Sequence, residues 1–254
     1  MRVYTNEPLI KARAKLGKRA SLIGLLVLLA GFVISLMSSI PYSFYISLAC
    51  LVIGFAVSNI GVYNANQWVK EPRADQVLVQ GMKGLSNKFA LYNYTWVVPH
   101  VLLTPAGIGV FLVKSQEGKI SAKGGRWRHA FSARRLFSFF GAEPLGNPER
   151  DLEMYTNAAK KSLAAQLPGV DVPIRSAVLF SSPKVDLSLE NPPVTVLTPK
   201  QIKGWMRGFP EVEALNVEQR RTLASAFLGS LSEKEGTDVP DEDEGGKKKR
   251  KARE

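Results

Sequence analysis

Two stretches decide how this chain is organised, ASLIGLLVLLAGFVISLM at residues 20–37 and FYISLACLVIGFAVSNIGV at 44–62. The 50 residues from 20 to 69 that contain them hold no Asp, Glu, Lys or Arg. A helix needs about 20 mostly apolar residues to cross a bilayer. Two spans are expected here, at 21–37 and 44–62, divided near Ser38-Ser39-Ile40-Pro41-Tyr42. A buried helical hairpin in a soluble protein is the plain alternative. A cleaved signal peptide is the other, with Lys11, Arg13, Lys15, Lys18 and Arg19 as its basic segment, but the apolar run is too long and continues into a second span. Ser47-Leu48-Ala49-Cys50 has the look of a lipoprotein cleavage box but lies inside that second span, so Cys50 reads as a small lipid- or helix-facing residue.

Working outward, residues 1–19 form a basic N-terminus with six Lys and Arg against Glu7, and Lys70 and Arg73 follow the second span. Excess Lys and Arg stay on the cytoplasmic side. The expectation is a plasma-membrane protein whose two termini and main domain are all cytoplasmic. Tyr42, Phe44 and Tyr45 at the turn, with Tyr63 and Trp68 at the exit, suit the two interfaces where amphipathic rings settle. Gly24, Gly31, Gly54 and Gly61 would let the two helices approach closely.

The whole chain has 254 residues and a formal charge of +12, from 34 Lys and Arg against 22 Asp and Glu. That balance points to an anionic partner, nucleic acid or a membrane surface. One Cys excludes an intrachain disulfide, and with only two His it also excludes a multi-cysteine zinc site. Residues 70–231 have globular composition, with 21 Lys and Arg against 13 Asp and Glu, and read as one cytosolic domain. Residues 232–254 pass from Asp241-Glu242-Asp243-Glu244 to Lys247-Lys248-Lys249-Arg250-Lys251 without an aromatic residue, the composition of a disordered charged tail.

Within the domain, helices are expected at 74–83, 147–167, 199–207 and 211–231, and strands at 90–99, 101–104, 108–114, 119–122, 174–180 and 194–197. Apolar residues at Leu152, Tyr155, Ala159, Leu163 and Leu167 keep a helical rhythm, and Pro168-Gly169 stops it. Strands alternating with helices make this an α/β domain.

The run from His100 to Lys114 (HVLLTPAGIGVFLVK), followed by Gly118-Lys119-Ile120 and Trp127, resembles the core of the nuclease-related (NERD) family. Asn147-Pro148 opening a helix and the strand Ala177-Val178-Leu179-Phe180 fall where that family has an Asn-Pro helix and a Val-Val-Phe strand. The resemblance covers residues 74–207. It implies a restriction-endonuclease-like α/β fold, and the family's name expresses an inferred nuclease activity.

The family's pattern has an Asp-His pair at the start of the hairpin and Glu-x-Lys at its end, acids that would hold a divalent metal for phosphodiester cleavage. Here Pro99-His100 and Leu112-Val113-Lys114 occupy those places. Pro99 and Leu112 offer no oxygen to a hard cation. Gln76, with Asp75 beside it, lies near the family's acid on the first helix. The resemblance therefore implies a catalytically degenerate member with no metal and no cofactor, in which His100 and Lys114 are vestigial. Glu117, the only carboxylate between 90 and 135, is the candidate for a shifted ligand. With it, an active membrane-tethered nuclease remains the rival reading.

The binding surface is expected at Lys114, Lys119, Lys123, Arg126, Arg128, Arg134 and Arg135, since no acid interrupts residues 119–140. Each cation set on a phosphate releases counterions. Trp127 and Phe131 are interleaved and suited to stacking on bases. Leu136-Phe137-Ser138-Phe139-Phe140 opens an alternative, contact with anionic lipid; a solvated surface over a Trp127 core is the third. No glycine-rich phosphate loop, nucleophile elbow or His-Glu-x-x-His pair is present, so no small-molecule substrate is evident. Asp171, Asp186 and Glu190 read as loop acids without partners.

Overall fold

The computed structural model describes residues 1–37, 42–130, 144–209 and 214–235. The chain opens with a strand, β1 (Arg2–Thr5), and turns at once into α1 (Glu7–Leu36). Asn6 caps that helix, its side-chain oxygen accepting from Leu9 N at 3.0 Å, and Glu7 sits in the positive first turn. The second helix, α2 (Ser43–Trp68), returns antiparallel to the first. At 1.5 Å per residue the two are about 45 and 39 Å long.

Glycine governs their contact. A Cβ at Gly17 would meet Asn64 and Ala65, one at Gly24 would meet Ser58, and one at Gly31 would meet Cys50. From the other side, Gly54 faces Leu28 and Gly61 faces Ser21. Positions 17, 24 and 31 on α1, and 54 and 61 on α2, are seven residues apart, the repeat that keeps one seam facing its partner. The outward faces keep their apolar side chains uncovered, with Leu22 59% and Phe32 62% exposed. A core helix of a soluble protein would be mostly covered. Both helices are long and apolar enough to cross a membrane.

The rest of the chain is mixed α/β. After α3 (Ala74–Gly81) come β2 (Ala90–Asn93), β3 (His100–Thr104), β4 (Gly107–Lys114), β5 (Gly118–Lys123) and β6 (Arg126–His129). Then follow α4 (Pro148–Gln166), β7 (Ile174–Phe180), β8 (Val185–Glu190), β9 (Val196–Leu197), a 3₁₀ turn at Pro199–Gln201, α5 (Ile202–Arg207) and α6 (Val217–Glu235). One sheet has six strands in the order β1-β2-β3-β4-β7-β9, and a second has β6-β5-β8. Only β3 runs against the others in the larger sheet. Its strands alternate, so that Leu91, Leu102, Phe111 and Leu179 pack on α3 and α5, and Tyr92, Val101 and Val110 pack on α4 and α6. A third cluster, with Leu112, Ile120, Leu152, Val178 and Phe180, sits beneath the smaller sheet.

The parallel pair β4–β7 continues across a bend as the parallel pair β5–β8, the chain crossing from one sheet to the next at residues 115–117 and 181–184. This corner lies at the carboxyl edge of the larger sheet. In open α/β sheets that edge is where ligands bind.

Several expectations differ from what folds. Residues 1–19 are not a separate basic segment, because Arg2–Thr5 pairs in parallel with β2 and the two-helix hairpin is an insertion between two neighbouring strands. The expected strand at 90–99 stops at Asn93, since Tyr94 takes φ 59° and Tyr94 N donates to Pro99 O at 2.7 Å, closing a loop. Strands β6 and β8 were not anticipated, and the last helix begins at Val217 rather than 211. Residues 38–41, 210–213 and 236–254, the last holding nearly all of the charged tail, lie outside the described residues.

Candidate functional site

Buried polar side chains gather along the carboxyl edge of the larger sheet. Asn93 ends β2, His100 starts β3 opposite it, Lys114 ends β4, and Ser181 follows β7. His100 is buried, and its Nδ1 lies 2.9 Å from Asn93 Oδ1. Asn93 in turn donates through Nδ2 to Thr5 Oγ1 at 3.1 Å. Burial pushes the His100 pKa down to about 4, outweighing the opposing pull of the Asp75 carboxylate, so the ring is neutral at pH 7.

Tyr94 joins this edge to the helical hairpin. Its ring lies 4.7 Å from that of His100 and 4.8 Å from that of Trp68 at the end of α2. Its carbonyl accepts from Asn6 Nδ2 at 3.1 Å. Burial, reinforced by Asp75, raises its phenol pKa well above the usual range. Asp75 itself takes a two-pronged contact from Arg73, at 3.1 Å from both Nε and Nη2. That hydrogen bond is the main reason the Arg73 pKa is raised. Gln76, the other candidate on the first helix, caps it, accepting from Arg73 N at 2.9 Å and donating to Glu71 at 3.1 Å.

Lys114 stands at the corner between the sheets. It is 4% exposed, and its Nζ lies 3.1 Å from Asp151 Oδ2 in the first turn of α4. Asn147 caps that helix, accepting from Glu149 N and Arg150 N at 3.1 and 3.3 Å, which aims the turn carrying Asp151 at the strand end. Ser181 N donates to Lys114 O at 2.8 Å, tying β7 to the same point. Asp151 was not among the expected site residues. An acid near a helix N-terminus is common for its dipole alone, and nothing in the sequence links it to Lys114.

A divalent metal does not fit this donor set. Pro99 and Leu112 supply no ligand, Asp75 is held by Arg73 and Asp151 by Lys114. Among the described residues no three His, Cys, Asp or Glu side chains gather. Glu117 is exposed, and its backbone carbonyl lies 2.7 Å from His129 Nε2.

Part of the expected basic surface is the outward face of the smaller sheet, but Lys114 does not belong to it, being buried at the corner against Asp151. Lys123 lies opposite Arg126 and Ser121 opposite Arg128, so Lys119, Lys123, Arg126 and Arg128 share one exposed face. Two corrections follow. Asp186 and Glu190 are not partnerless loop acids: β8 sets them opposite Lys119 and Lys123 on that same face, and Glu190 pairs with Lys123 at 2.8 Å. Trp127 does not lie among the cations, because alternation turns it to the inner face, where its ring is 6.3 Å from Phe180. It is a packing residue there rather than a stacking platform. Arg134, Arg135, Phe131, Phe137, Phe139 and Phe140 lie outside the described residues.

The fold and site together define a mixed α/β domain carried on a hairpin of two helices long and apolar enough to cross a membrane. No family model, curated protein or solved structure matches the chain.

Proposed function

We propose that this is a membrane-anchored NERD-like protein that does not cleave nucleic acid and binds it, or serves as a scaffold, through the basic face of its smaller sheet. The domain has a restriction-endonuclease-like ancestry in this reading. The hairpin spans the plasma membrane, with both termini and the domain in the cytoplasm. The family-like segments support it by lying together: β4 pairs along its length with the strand holding Ala177–Phe180, and the Asn147-Pro148 helix brings Asp151 to Lys114.

The observation that carries the binding role is the shared face of Lys119, Lys123, Arg126 and Arg128. Four cations against Asp186 and Glu190 leave an excess of positive charge, concentrated at Arg126 and Arg128 on the edge strand β6. Each contacted phosphate adds sequence-independent, salt-sensitive affinity. The absence of cleavage rests on the two edge carboxylates Asp75 and Asp151 each being held by its own cation.

The test is fluorescence anisotropy of the full chain in nanodiscs against labelled duplex and single-stranded DNA at two salt concentrations, with Mn²⁺ and a gel assay in parallel. Salt-sensitive binding without cleavage, weakened by Arg126→Ala and Arg128→Ala, is expected. One rival is a nuclease in which Asp151, a carboxylate brought to the end of β4, exchanges its contact with Lys114 for a metal ion. Cleavage that disappears in Asp151→Asn would establish that rival.

A further inference from the structure

The cytoplasmic extension of α1 is a separate charged surface. The pairings of Gly17 with Asn64 and of Gly61 with Ser21 place Arg19 level with Tyr63, at the end of the charge-free stretch. From Glu7 to Arg19 the helix continues beyond that level for about 18 Å. Lys11, Lys15 and Lys18 fall on one face of it, at spacings of four and three. The same face continues as Leu22, Leu26 and Leu29, all more than half exposed. Gly17, Gly24 and Gly31 face the other way, onto α2.

The surrounding charges leave this face cationic. Lys11, Arg13, Lys15, Lys18 and Arg19 are exposed, and none forms an ion pair among the described residues. Carboxylates at the start of α1 and after α2 are engaged elsewhere: Glu7 and Asp75 with Arg73 at 3.7 and 3.1 Å, and Glu71 with Gln76 at 3.1 Å. At the same level α2 presents Tyr63, Asn64, Asn66, Gln67 and Trp68, all uncharged.

We infer that Lys11, Lys15, Lys18 and Arg19 form a collar that binds the phosphates of anionic phospholipid headgroups, a role distinct from that of the sheet face. The inference rests on the hairpin spanning a membrane. A headgroup layer is about 5–8 Å thick, and Lys15, Lys18 and Arg19 lie within about 7.5 Å of Ala20 along the helix axis. The stem of Lys11 extends its reach toward the same layer. Lipid is favoured over nucleic acid because the cationic face runs directly into the apolar face that meets acyl chains. The headgroup of a lipid seated on Leu22 and Leu26 comes to rest against Lys18 and Lys15.

The test uses full-length protein in vesicles of phosphatidylcholine with trace spin-labelled phosphatidylglycerol or phosphatidylcholine. Electron spin resonance reads the relative association of the two labels with the protein. The wild type should prefer phosphatidylglycerol by about fivefold, in keeping with the attraction of cations near an anionic surface, and high salt should reduce the preference toward unity. Lys11→Gln/Lys15→Gln/Lys18→Gln/Arg19→Gln should abolish it, whereas Lys11→Arg/Lys15→Arg/Lys18→Arg should retain it. Equal association of the two lipids with wild type overturns the proposal. So does loss of the preference in Lys119→Gln/Lys123→Gln/Arg126→Gln/Arg128→Gln with retention in the collar variant, as does DNA binding that vanishes only in the collar variant. Alkaline carbonate extraction separates the underlying reading: release of wild-type protein from the vesicles means that the hairpin does not span the membrane.

Discussion

Lys114 on β4 and Asp151 on α4 stand 37 residues apart in sequence and meet at 3.1 Å, with the lysine buried and the aspartate partly exposed. The pair locks the first turn of α4 to the corner where the chain passes between the sheets. Removing the acid leaves a buried ammonium without this compensation. A fully buried pair broken this way costs about 3–5 kcal/mol, and the water reaching Asp151 reduces that. Asp151→Asn is expected to destabilise the domain by about 2 kcal/mol. Lys114→Met should cost less, because an apolar chain suits the site. Chemical denaturation of the single and double variants in detergent gives the coupling energy directly.

His100 makes stability depend on acid. Its folded pKa is near 4, whereas an unfolded histidine titrates near 6.5. Between those values the unfolded chain binds the proton and the folded one does not, so falling pH favours unfolding. The stabilisation is complete above about pH 6.5 and is lost progressively toward pH 4, by up to about 3 kcal/mol. His100→Gln should flatten this slope. Denaturation midpoints from pH 7 down to 4.5 check it, and an unchanged slope in the variant would assign the acid sensitivity elsewhere.

The glycine seam sets the tolerance of the hairpin. A side chain at Gly24 collides with the backbone and hydroxyl of Ser58, and one at Gly61 collides with Ser21. Gly24→Val and Gly61→Val are expected to lower the melting temperature of the detergent-solubilised protein sharply. Gly204 in α5 has open space around it. Gly204→Ala should stabilise by about 0.5–1 kcal/mol, by reducing the freedom of the unfolded chain.

Residues 2–5 cannot be separated from the domain without consequence. Tyr4 stacks on Tyr92 at 5.0 Å, and β1 covers the edge of β2 along four residues. A fragment beginning at residue 71 exposes that edge and should self-associate. Joining residues 1–6 to it through a flexible linker should restore a monomer, as read by sedimentation velocity.

On the smaller sheet, the acids temper the cations. Asp186→Asn with Glu190→Gln is expected to raise DNA affinity about tenfold at low salt. Arg126→Ala and Arg128→Ala should each reduce the slope of log K against log salt by about 1. Anisotropy titrations over a salt series measure both.

Much of this protein is legible along the chain, because the features concerned are local. The absence of charge from 20 to 69 marks out the two helices that are long and apolar enough to cross a membrane, where one ionisable side chain would be costly. The strand at Ile174–Phe180, apolar from Ala177 onward, and the capped, periodic helix at Pro148–Gln166 fold as read. The inward turn of Trp127 was also within reach, since strict alternation in Arg126-Trp127-Arg128 sets the ring on the face opposite both arginines. Strand order and register are not local. They decide that Asp151 meets Lys114, that Asp186 and Glu190 lie across from Lys119 and Lys123, and that Arg2–Thr5 completes a sheet whose next strand begins at residue 90. Such contacts depend on which strands hydrogen-bond to each other, and a linear pattern of apolar and charged residues leaves that pairing open until the cores on both faces of the sheet are filled.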